Sequence, residues 1–127
     1  MLKFDRICHK DTGILEIVCS GDVDFSDRYD DHYKAVNEMC KGIKNLKVLA
    51  DLKDLHFKHA VSVEDVDGFL DRRKKALKGF KSVKTAVVTM DQKAAAIGYF
   101  VRLNRSSDSN LTKLFRSRDA AFKWLEG

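Results

Sequence analysis

Hydrophobic and polar positions change period several times along this chain, and each change marks an element. Leu2–His9 alternates in the manner of a strand. Lys10-Asp11-Thr12-Gly13 supplies turn residues, and Ile14–Ser20 (ILEIVCS) reads as the returning strand of a β-hairpin. Gly13 suits the positive φ that such a turn demands. Asp24 or Ser26 is placed to cap a first helix, with Asp27, Asp30 and Asp31 crowding its first turns, where negative charge complements the helix dipole. Tyr29, Tyr33, Val36 and Cys40 recur at helical spacing, and Gly42 is a natural stop.

Leu46–Leu52 (LKVLADL) reads as a buried strand, with a connection from Lys53 to Val61. Ser62-Val63-Glu64-Asp65 resembles a capping box, and the helix it opens is expected to run to about Lys81, with Val66, Phe69, Leu70, Leu77 and Phe80 inward. Lys84–Asp91 (KTAVVTMD) is a short, nearly continuous apolar run of the kind found in central parallel strands. Gln92–Asn104 predicts a helix that is apolar on most sides from Ala94 to Val101. Leu111–Phe115 predicts a last strand and Asp119–Leu125 a terminal helix. The order is ββαβαβαβα. This is the pattern of a single α/β domain: an N-terminal hairpin, then mostly parallel strands joined by helical crossovers.

Composition agrees with that picture. A chain of 127 residues suits one domain, and the complete absence of proline removes proline-rich linkers and collagen-like architectures. No apolar run has the length of a membrane span, and the N-terminus lacks the apolar core of a secretion signal, so the expected location is cytoplasmic. Cys8, Cys19 and Cys40 lack CxxC spacing and read as reduced, mostly buried thiols. His9 adjoins Cys8, but neighbouring strand residues point to opposite faces and should not pair.

Net charge is +5 and uneven: residues 1–60 carry 10 basic and 11 acidic side chains, residues 61–127 carry 14 and 8. The densest basic run, Arg72-Arg73-Lys74-Lys75, follows Glu64, Asp65, Asp67 and Asp71 on the same helix. Acid at the start and base at the end match the helix dipole, so the bland reading is a solvated face and the sharper one an anion-binding surface.

The hairpin, Val48–Leu55 (VLADLKDL), Lys84–Thr89 (KTAVVT) and the closing Leu114–Leu125 (LFRSRDAAFKWL) together resemble the STAS superfamily, and within it the SpoIIAA-like (STAS/SEC14-type) family. The closing stretch is similar to the family's finish of Phe, a polar spacer, then Ala-x-x-Trp-Leu. The resemblance implies a non-enzymatic regulatory or interaction domain whose partner is another protein. Its kinship with SEC14-type domains implies the alternative, a module binding a small molecule or lipid in an apolar pocket. Anti-sigma-factor antagonists of the family carry a phosphorylatable serine in an Asp-Ser-Ser/Thr-Gly pattern. Here the corresponding strand ends Ala50-Asp51-Leu52-Lys53-Asp54-Leu55-His56, so the usual switch motif is missing. Ser62 is the nearest serine at a helix start, and capping accounts for it.

In open α/β sheets ligands bind beyond the carboxyl ends of parallel strands, which points to Lys53, Asp54, His56 and His59 after one strand and to Asp91, Gln92 and Lys93 after the next. The expected interaction face is the Lys53–Ser62 loop with the start of the helix that follows. Tyr99 and Phe100, in the apolar helix, are candidates for a pocket or a homodimer interface. His56 and His59 have three-residue spacing but no cysteine completes a ligand set. Asp22–Asp27 lacks the glycine and terminal glutamate of a calcium loop, so no metal is expected. No glycine-rich phosphate loop and no GxSxG elbow occurs, so neither a cofactor nor catalysis is expected. Nucleic-acid motifs are also missing.

Overall fold

The computed structural model describes residues 2–24, 28–57, 62–90 and 110–127. Strand β1 (Lys3–His9) turns back antiparallel on β2 (Ile14–Asp22), and helix α1 (Asp30–Met39) leads to β3 (Asn45–His56). Helix α2 (Val63–Ala76) leads to β4 (Ser82–Val88), while β5 (Asn110–Phe115) precedes helix α3 (Arg118–Glu126). The sheet runs β1-β2-β3-β4-β5, with β2 to β5 mutually parallel. This is the expected single α/β domain. The helix expected at Gln92–Asn104 falls outside the described residues. Gly13 has φ 74° and closes the hairpin by donating its N–H to the His9 carbonyl at 2.9 Å.

Strand alternation divides the core in two. On one face Leu15, Ile17 and Cys19 of β2, Leu46 and Val48 of β3 and Val83 of β4 pack toward Tyr33 and Val36 of α1, its C-cap Cys40 and the α2 C-cap Leu77. On the other, Ile14, Leu49, Ala86 and Val88 pack under Ala121 and Leu125 of α3. Asn37 ties the two helices of the first face, donating its amide to the Ala76 carbonyl at 3.0 Å near the end of α2.

Three local expectations are corrected. Helix α1 begins at Asp30, and its N-cap is Tyr29 in the left-handed region (φ 54°) with no side-chain cap, so Asp24 does not cap it and Ser26 lies outside the described residues. The Tyr29 hydroxyl instead bridges the Asp24 backbone, donating to its carbonyl at 2.8 Å and accepting from its N–H at 3.0 Å. That clasp offsets the roughly 1–2 kcal/mol cost of a bulky residue at positive φ. Helix α2 ends at Ala76, several residues before Lys81, with Leu77 as C-cap.

The third correction concerns β3, which continues through Lys53, Asp54 and His56 instead of giving way to a loop at Leu52. Between the pairs Val18↔Asp51 and Ser20↔Asp54 the ladder holds one extra residue on β3. The bulge reverses the alternation, so that Leu55 enters the α1/α2 core while Asp54 and His56 are exposed. A polar Lys-Asp pair inside a strand looks like a loop until that extra residue is counted.

Candidate functional site

Between the sheet and helices α1 and α2 lies an apolar cavity of about 200 Å³. Its walls include Phe4, Val48, Leu52, Phe57, Leu70 and Val87, contributed by three strands, the segment after β3 and α2. Among the described residues no aspartate, glutamate or lysine lines it. The polar groups that the described residues place on its wall are those of Tyr29, His32, Tyr33, Thr85 and Thr112, with one cation, Arg73.

Arg73 reaches this wall because of its register on α2. Val66, Leu70 and Leu77 form the buried stripe of the helix, and Arg73 occupies the stripe position between Leu70 and Leu77. The side chain as a whole keeps some access to solvent, but its charged end is deeply enclosed, and that burial lowers the guanidinium pKa. One Nη donates to the Thr85 hydroxyl at 2.9 Å, and no carboxylate pairs with the group among the described residues. The basic run therefore does not act as one surface: Lys74 and Lys75 are exposed, while Arg73 turns inward.

His32 stacks on Phe4 with ring centroids 3.9 Å apart. Arg6 donates to its Nδ1 at 2.8 Å, so Nδ1 is the acceptor and the neutral ring carries its proton on Nε2. Burial, reinforced by Arg6 and Arg73, lowers the His32 pKa to about 4 and keeps the ring uncharged at neutral pH. Burial likewise raises the Tyr33 pKa, with Arg73 pulling the other way. Leu2, Phe4, Tyr29 and His32 also line an outer groove with Lys3, Arg6 and Arg28, so the Phe4–His32 stack stands between cavity and solvent.

The opposite face carries a different arrangement. Glu16 accepts from His9 Nε2 at 2.6 Å and from Arg118, whose other Nη lies 3.5 Å from Asp51. Asp51 is buried and also accepts from the Lys53 backbone N–H at 3.1 Å, with Lys53 Nζ at 3.7 Å. Every carboxylate in this cluster is thus paired. Back on the α1/α2 face, burial raises the Cys19 and Cys40 thiols to about 12 and keeps these two protonated, and Cys40 Sγ lies 3.5 Å from Cys8 Sγ. His9 and Cys8 face opposite sides as expected.

Of the residues singled out from the sequence, only some are among the described ones. Lys53 serves Asp51, and Asp54 and His56 are exposed on the far side of the bulge from Leu55. Ser62 completes a capping box, its hydroxyl accepting from the Asp65 N–H at 3.1 Å while the Asp65 carboxylate accepts from the Ser62 N–H at 3.3 Å. His59, Asp91, Lys93, Tyr99 and Phe100 lie outside the described residues. Tyr33, Thr85 and His32 were not anticipated as site residues. Arg73 was, but on a surface. The signal that places it inside is its position in the 66-70-73-77 stripe.

No protein-family profile matches the chain, and no curated protein does. Among solved structures it is similar to an uncharacterized protein from the DUF3478 family with a SpoIIAA-like fold from Shewanella loihica PV-4, with 18% identity, 98% of this chain and 93% of that chain covered, and a TM-score of 0.65. It is also similar to an anti-sigma factor antagonist from Mycobacterium paratuberculosis, with 14% identity, 100% and 96% of the two chains covered, and a TM-score of 0.63. The chain has the SpoIIAA-like fold. Identities this low establish the fold, and function has to be argued from the site.

Proposed function

We propose that this chain is a non-catalytic binding domain whose ligand is a small, largely apolar molecule held between the sheet and helices α1 and α2. The observation that carries this reading is the cavity itself. Closely packed interiors keep few voids larger than a water molecule, and a void of about 200 Å³ forfeits contacts that its walls would otherwise make. An apolar cavity of roughly 150 Å³ stays dry and admits benzene, so one somewhat larger suits a substituted benzene or a short-chain molecule. Catalysis finds little support in the same walls: burial holds Cys19 as a thiol, and burial together with the Arg6 donor on Nδ1 holds His32 neutral.

A second reading, regulation through another protein, is favoured by the similarity to an anti-sigma factor antagonist. The two are compatible, since a ligand that stiffens α1 against α2 would alter the surface those helices present. Native mass spectrometry of freshly purified protein, followed by ethylbenzene titration in a thermal-unfolding assay, tests the first. The expected result is a reproducible adduct lost on denaturation, or a concentration-dependent rise in Tm. A bare protein whose Tm ignores ethylbenzene would count against the cavity as a ligand site.

A further inference from the structure

The walls of the cavity specify more than an apolar occupant. A guanidinium enclosed by protein is costly unless it is paired, and here a single neutral hydroxyl satisfies only a fraction of its donors. Arg73 occupies a place in the α2 stripe where leucine or methionine would pack without that cost. Among the described residues nothing acidic lines the cavity, so Arg73 presents its positive charge there without a carboxylate partner from them.

We propose that the cavity takes a small monocarboxylate with an apolar body, its carboxylate paired with Arg73 beside the Thr85 hydroxyl and its body against Val48, Leu52 and Val87. This assignment rests on the reading of the cavity as a ligand site and adds the head group. A carboxylate matches the planar guanidinium in shape and charge. An amine would be repelled, and an uncharged hydrocarbon would leave the guanidinium unpaired. A free inorganic anion would leave the apolar walls unfilled. A dianionic phosphate ester would carry more charge than Arg73 alone can match. The volume sets the body at about the size of one aromatic ring.

The test compares phenylacetate with 2-phenylethanol, which are close in shape and differ in charge, by calorimetric titration of the full chain at pH 7. Phenylacetate is expected to bind at least tenfold more tightly. In Arg73→Met, which keeps the aliphatic stem, that preference is expected to vanish while the alcohol still binds. Thr85→Val, which retains the cation, is expected to keep a preference for the acid and decides the matter if Arg73→Met fails to fold. Equal affinities for acid and alcohol in the unmodified protein would overturn the head-group assignment and leave the cavity reading standing. Binding of neither compound, nor of ethylbenzene, would overturn both.

Discussion

The two faces of the sheet are built from alternate residues of the same strands, yet they are finished differently. Under α3 the packing is closed: Ile14, Leu49, Ala86, Val88, Ala121 and Leu125 are all within 1% of full burial. The charges there are matched too, Arg118 answering both Glu16 and Asp51. Lys84 adds a second anchor, donating to the Trp124 carbonyl at 2.7 Å with its ammonium over the indole ring. Under α1 and α2 the same strands leave a cavity, and the cation beside it has no carboxylate among the described residues. One face reads as a keel that fixes the fold. On the other, the described residues leave a cavity and a cation without a carboxylate, the two features from which we propose a ligand site.

That contrast can be broken most sharply with a matched pair of truncations in β3. Leu49→Ala on the closed face is expected to cost about 3–4 kcal/mol in urea denaturation, because the site has no room to collapse. Leu52→Ala on the cavity wall, half-buried already, is expected to cost about 1 kcal/mol. Equal losses would show that the two faces are packed alike.

Next in size is Arg118→Ala, which leaves the buried Asp51 carboxylate with Lys53 alone and removes half of the Glu16 pairing. Because Arg118 is itself 38% exposed, solvent relieves part of the penalty. A loss of about 2 kcal/mol is expected, less than the 3–5 kcal/mol of a fully enclosed pair. A loss below about 0.5 kcal/mol would mean that the cluster does not hold α3 to the sheet.

A comparable effect comes from pH, through the cavity side. His32 has its folded-state pKa lowered to about 4 from an unfolded value of 6.5. As pH falls through that window the unfolded chain takes up the proton first, so stability drops from pH 6.5 toward pH 4, by about 2–3 kcal/mol in total. His32→Gln is expected to flatten this part of the profile. An unchanged slope in the variant would assign the acid sensitivity to other groups.

Much of the fold was legible because its signals are local. ILEIVCS and KTAVVT are short, β-branched apolar runs bounded by polar residues, which favours a buried strand, and Ser62–Asp65 announces the start of α2 at the residue where it occurs. What was missed depends on long-range pairing. The bulge that carries β3 on to His56 exists only in relation to β2, so Lys53-Asp54 read alone resembles a loop. The left-handed Tyr29 is held by its hydroxyl on Asp24 and by Phe4 across the sheet, neither of which periodicity reports. The cavity is a volume that side chains fail to fill, and no residue pattern encodes a failure to fill. Arg73 is the intermediate case. Its stripe position was readable, but four consecutive basic residues look like a solvated face until the helix is seen against the sheet.

The most direct test is a methyl-resolved NMR titration with 2-phenylethanol, following both faces of the sheet at once. The expected result is saturable shifts at Val48, Leu52 and Val87, with Leu49, Val88 and Leu125 unmoved. Shifts spread equally over both faces, or none at any concentration, would contradict a closed keel backed by an open site.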